Sequence, residues 1–178
     1  MPRLNFFLAT LGFILFLFLN PVSISAADNA QPWNVPRFVD DAKTLSDSVS
    51  AINIPAGVDA VVIDEEENYV FDAQGRNVHT QYVVYKVLTQ RGAEGWADIG
   101  YSWEPWHQDR PTLRARVITP DGIIHTLDPS TITDAPAKED ESLIYSDRRV
   151  IRAPLPAVTP GSIIEQEEVT KETASFFG

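Results

Sequence analysis

Hydrophobic positions along this chain change their spacing twice. Phe6 to Leu19 is apolar apart from Thr10 and Gly12. From Phe38 the apolar residues recur at helical spacing, Phe38, Ala42, Leu45, Val49 and Ile52, with Asp40, Asp41, Lys43, Asp47 and Ser48 opposite. That pattern predicts one amphipathic helix, ended before Pro55-Ala56-Gly57, whose apolar face must cover something. From Val58 the period becomes two. Alternating runs bounded by Gly, Pro or Asp predict strands over Ala60 to Glu65, Asn68 to Phe71, Val78 to Thr89, Trp96 to Trp103, Leu113 to Thr119, Ile123 to Leu127, Leu143 to Arg152 and Ser162 to Lys171. The fold class that follows is all-β, an antiparallel β-sandwich preceded by a short amphipathic helix. Turn signals every 8 to 12 residues or so favour two sheets over a barrel. Ala135 to Glu141, with Pro136 and four consecutive charges, reads as a polar loop.

Two segments carry the sharpest turn chemistry. In Arg114 to Gly122, RARVITPDG, an alternating strand runs into Pro120-Asp121-Gly122. These residues supply a preset φ, a self-capping side chain and a residue free to take φ > 0, so a hairpin returning through Ile123 to Leu127 is expected. In Pro154 to Glu165, PLPAVTPGSIIE, three prolines hold an extended rim, Gly161 turns the chain and Ile163-Ile164 opens the last strand.

With VLTQRG (Val87 to Gly92) and YSDRR (Tyr145 to Arg149), these segments resemble, in order and spacing, a bacterial domain family of unknown function. The resemblance runs from about Asp59 to the end of the chain. Members of that family sit at the N-terminus of exported proteins, directly before a transglutaminase-like domain. The resemblance implies such a downstream domain as partner, and no catalytic residue or cofactor within this chain. It also implies that further strands follow. Glu165 to Thr173 alternates like a strand and Phe176-Phe177 continues it without a closing turn, so the final strand is expected to present an open edge.

The N-terminus places the chain outside the cytoplasm. Arg3 precedes the apolar run, Asn20-Pro21 breaks it, and Ser25, Ala26 and Ala27 offer small residues for cleavage. Residues 1 to 27 therefore read as a secretory signal peptide cut after Ala27, with Ala26 as the neighbouring option. The other reading, an uncleaved anchor, requires a longer run than this one, about 20 residues. The domain plan is thus 1–27 signal peptide, 28–57 linker and helix, and 58–178 sandwich domain truncated at its C-terminal end. A periplasmic or secreted location follows, with no stable membrane anchor after cleavage. The absence of cysteine removes a lipoprotein anchor and any disulfide. A net charge of -11 argues against nucleic acid, which needs a basic stripe.

Chemistry is sparse. Without cysteine, the Cys-His-Asp arrangement of transglutaminase-like enzymes cannot lie within this chain, and the chain reads as no enzyme. Gly100-Tyr101-Ser102-Trp103-Glu104 imitates a serine-hydrolase elbow but carries Glu104 at the second glycine position. His79, His107 and His125 are far apart in sequence and show no metal-ligand spacing. Asp64-Glu65-Glu66-Glu67 lacks an EF-hand pattern and reads as a solvated strand end. What remains is aromatic: Trp96, Tyr101, Trp103 and Trp106 within eleven residues. Buried, they are core or interdomain packing; exposed, Trp103 and Trp106 could stack on a sugar or a peptide. The leading expectation is a non-catalytic module that packs against or positions the downstream domain. The alternative is an extracellular polysaccharide- or peptide-binding module.

Overall fold

The structure, a computed structural model, describes residues 37–50, 52–138 and 147–175. The expected signal peptide, most of the linker, Phe176-Phe177 and the start of the Leu143 to Arg152 strand lie outside the described residues.

Among the described residues eight strands form two antiparallel sheets, with helix α1 (Ala42–Ser50) ahead of them and a short helix α2 (Gln90–Gly95) between β2 and β3. The strands are β1 (Ala60–Phe71), β2 (Asn77–Val87), β3 (Asp98–Trp103), β4 (Thr112–Ile118), β5 (Ile124–Thr126), β6 (Thr133–Pro136), β7 (Arg149–Pro154) and β8 (Ile163–Lys171). The larger sheet runs β1-β2-β8-β4-β5 and the smaller β3-β7-β6. The sandwich-like fold that the alternation predicts is what forms. Its core lies between the sheets: Tyr85 and Val87 from β2, Val117 from β4 and Ile164 from β8 meet Ile99, Ile151 and Ala153 from β3 and β7.

Helix α1 lies on the outer face of the larger sheet, where Leu45 and Val49 pack with Tyr82, Val84, Ile118 and Ile163. Its apolar stripe is therefore covered by the β-domain itself. Ile52, which the spacing put on that stripe, lies past the helix end and is exposed.

The β4–β5 hairpin closes as its sequence requires. Gly122 sits at φ 83°, its N–H donates to Thr119 O at 2.8 Å, and Thr119 N–H donates to Ile123 O at 3.0 Å. At the second turn Gly161 takes φ 91° and its N–H donates to Val87 O at 2.8 Å. A side chain there would meet Pro120 Cγ at 3.0 Å, so the two turns abut at one end of the sheet.

Several expectations are corrected. Among the described residues the last strand has no open edge: β8 pairs with β2 on one side and β4 on the other, and Ile163 is buried. The two separate strands expected at Ala60 to Glu65 and Asn68 to Phe71 are one twelve-residue strand, with a bulge between Val62 and Asp64. Asp64 to Glu67 is therefore mid-strand. It tolerates four acids because, among the described residues, β1 is an edge paired only with β2, leaving its side chains in reach of water. Ala135-Pro136, read as loop, belongs to β6 against β7. VLTQRG does not continue as strand: Thr89 caps α2, accepting from Gly92 N–H at 3.0 Å, and its hydroxyl donates to Asp59 at 2.6 Å.

Candidate functional site

The four aromatic residues separate by position along their segment. Trp96 follows α2 as its C-cap, stands 41% exposed and lays its ring 4.7 Å from that of Tyr85. Tyr101 and Trp103 share a face of β3, as their parity predicts, and both turn inward. Trp103 is 9% exposed, and its indole N–H has no hydrogen-bond acceptor among the described residues. The Tyr101 hydroxyl accepts from Gln166 Nε2 at 2.9 Å, and burial pushes its pKa up to about 12. Trp106, beyond Pro105, is 53% exposed and lies 4.0 Å from the ring of buried His107. Trp103 and Trp106 therefore do not form a shared platform: one fills the core and the other caps a loop.

That loop is fastened by the YSDRR segment. Asp147 accepts from Trp106 N–H at 3.0 Å, Arg148 reaches Glu104 at 3.3 Å, and Arg149 donates to Asp134 on β6 at 2.8 Å. A cavity of about 400 Å³ lies there, lined by Ser102, Trp103, Glu104, His107, Gln108 and Arg148.

Beside it, between the sheets, lies a second cavity of about 230 Å³ that shares Ser102 and Gln108. Strand parity creates it. The inner face of the larger sheet is apolar at the α2 end, with Tyr85, Val87 and Ile164. Toward the other end the same face carries Asn77 and His79 from β2 and Glu168 and Thr170 from β8, all lining this cavity. Glu168 is 5% exposed, and burial raises its carboxyl above the ordinary value, an effect partly offset by a 2.7 Å hydrogen bond from Thr170. His79 stacks on Tyr69 with centroids 4.3 Å apart. Among the described residues no group of three or more histidines and carboxylates is placed to hold a metal ion.

A second buried polar cluster lies on the outer face, under the segment that enters α1. Glu165, 1% exposed, accepts from Tyr82 Oη at 2.7 Å, Phe38 N–H at 2.7 Å and Arg116 Nε at 2.5 Å. Arg116 is 8% exposed and also donates to Asp40 O at 2.8 Å. Burial and the Glu165 carboxylate both raise the Tyr82 pKa. No buried side-chain polar atom of this clasp lacks a partner among the described residues, and the Phe38 N–H bond to Glu165 holds that backbone at its unusual φ of 62° and with it the approach of α1. A shallow cavity of about 330 Å³ lies between α1 and the two abutting turns, lined in part by Lys43, Asp47, Pro120, Asp121 and Gly161.

The sequence did not single out Glu165, Arg116, Asn77 or Glu168. One signal was present: β8 reads Glu165, Gln166, Glu167, Glu168, polar on both faces, so a strand at the centre of a sheet has to bury carboxylates on each side.

Residues 73–178 match the family model of a domain of unknown function with a solved structure, DUF3857. In fold the chain is similar to the crystal structure of a "putative protease" from Parabacteroides distasonis, with TM-score 0.58 and 11% identity over 66% of this chain and 24% of that one. The chain thus spans about a quarter of the length of that protein. A CBM3a-L domain with flanking linkers, from the cellulosome scaffoldin of Clostridium thermocellum, aligns at TM-score 0.34 and 12% identity over 68% of this chain and 72% of that one. No curated protein matches the chain.

Proposed function

From the premise that this chain belongs to the DUF3857 family of unknown function, we propose that it is a non-catalytic β-sandwich module of an exported bacterial protein. Its role is to pack against and position a transglutaminase-like domain that follows it. The observation that carries this reading is what the residues of the turn and strand segments named above do. Pro120 to Gly122 and Pro160-Gly161 make two abutting turns, VLTQRG caps α2 onto Asp59, YSDRR ties down the Trp106 loop, and Arg116 with Glu165 clasps the segment before α1. These residues build a frame, and they bring no nucleophile and base together. Trp96 and Trp106 remain at the surface, where a neighbouring domain could cover them. With no cysteine in the chain, thiol chemistry of the transglutaminase type belongs to another domain.

Hydrogen exchange on the chain alone and on a longer natural protein that includes the following domain tests this. Amides near Trp96 and Trp106 are expected to gain protection in the longer protein, and the chain alone is expected to hydrolyse no amide or isopeptide substrate. Equal exchange in both, or turnover by the chain alone, overturns the proposal.

A further inference from the structure

After β8 the backbone runs between the start of β2 and the His107 loop: Glu172 N–H donates to Asn77 O at 2.8 Å and Thr173 N–H to His107 O at 2.7 Å. Ser175 then lies against the β1–β2 turn, where a Cβ on Gly75 would meet its Oγ at 3.5 Å. Exposed apolar side chains flank this exit. On the hairpin side stand Val70 and Phe71, both more than half exposed, and Val78; with Arg76, Asp109 and Lys171 they line a groove of about 320 Å³. On the loop side stands Trp106, also more than half exposed. Among the described residues these side chains support little of the fold. Asp72 holds the turn, accepting from Gln74 N–H and Arg76 N–H at 2.9 Å each, while Val70 and Phe71 keep most of their surface in water. Apolar surface gathered in this way marks a place where something docks. A domain attached beyond Ser175 begins at this groove. A short tether holds its local concentration on the order of millimolar, so even a small apolar contact here is populated. A second copy of the chain has no such advantage.

We propose that the domain following this chain docks an apolar surface on the exit end of the sandwich, over Val70, Phe71 and Val78 and against Trp106. This docking rests on the reading above that such a domain follows, and it assigns the face which that domain covers.

The test is hydroxyl-radical footprinting, read by peptide mass spectrometry, on the chain alone and on a longer natural protein that includes the following domain. Phe71 and Trp106 are expected to lose most of their oxidation in the longer protein. Ile124, exposed on β5 in the row of Ile163 at the opposite end of β8 from Lys171, is expected to keep its own. In the longer protein, Val70→Ser with Phe71→Ser is expected to return Trp106 oxidation to the level of the chain alone, with circular dichroism checking that the variant is folded. If it is not, the wild-type comparison decides by itself. Phe71 oxidised equally in both proteins overturns the proposal, and so does a folded double variant that leaves Trp106 protected. Protection at Trp96 without Phe71 overturns this docking face and keeps the module reading, whereas no protection at any of these residues overturns both. Protection of Phe71 in the chain alone that disappears on dilution assigns the patch to a second copy and also overturns the proposal.

Discussion

Removing the Glu165 carboxylate tests the clasp that joins the sandwich to α1. In Glu165→Ala, Arg116 keeps Asp40 O as its hydrogen-bond acceptor among the described residues, and the Phe38 ring 5.8 Å away, while it stays 8% exposed. Breaking a buried ion pair from one side costs about 3–5 kcal/mol, because a charge is left without its counter-ion. The Tyr82 hydroxyl and the Phe38 N–H lose their acceptor as well, each worth about 1–3 kcal/mol if no water replaces it. These losses overlap, so we expect a destabilisation of at least about 4 kcal/mol, a large part of a domain's usual 5–15 kcal/mol or so. Replacing both partners, Arg116→Met with Glu165→Met, removes both charges and keeps the volume. Only the Tyr82, Phe38 and Asp40 groups then lack partners, and the loss should shrink to about 2 kcal/mol. Urea unfolding followed by circular dichroism measures each variant, with m-values compared to confirm one transition. A single-variant loss under about 1 kcal/mol, or a double variant equal to the sum of its singles, would show that the clasp does not hold the fold as described.

Gly122→Ala places a side chain at φ 83° with open space around it, so its thermal midpoint should fall by the equivalent of about 1 kcal/mol. Gly92→Ala should cost more than about 3 kcal/mol, because the added Cβ would lie 2.3 Å from the backbone oxygen of Asp59; equal melting of the two variants would contradict this ranking. Glu168 has a folded pKa raised by burial, so the folded state binds more protons than the unfolded one between the ordinary value near 4.5 and the raised one. Stability from this group is therefore fullest below about 4.5 and declines as pH rises through that window. Glu168→Gln should then unfold at higher urea than wild type at pH 7 and lose that advantage at pH 4; an advantage that does not change with pH would refute it. N-bromosuccinimide should oxidise Trp106 and Trp96 before Trp103, as read by peptide mass spectrometry, in keeping with their exposures of 53%, 41% and 9%.

Local chemistry made part of this protein readable in advance. Pro120-Asp121-Gly122 specified its turn because proline, aspartate and glycine each restrict or free one dihedral, and that needs no partner strand. The alternation from Val58 gave sheet because a period of two places one face inward whatever the topology. Phe38 to Val49 gave a helix with one apolar stripe for the corresponding reason.

Non-local pairing decided the rest. Nothing near Ile163 to Lys171 says that β8 lies between β2 and β4; that depends on partners some fifty and eighty residues away. A central place turns the strand's two-sided polarity into buried carboxylates, Glu165 against Arg116 on one face and Glu168 in a cavity on the other. The acidic run of β1 persists as strand because the sheet leaves it at an edge, and α2 is too short and glycine-rich for periodicity to reveal. Trp103 and Trp106 are three residues apart and chemically alike. Sequence alone could place them in one aromatic group, but only the sheets close on one and leave the other in water.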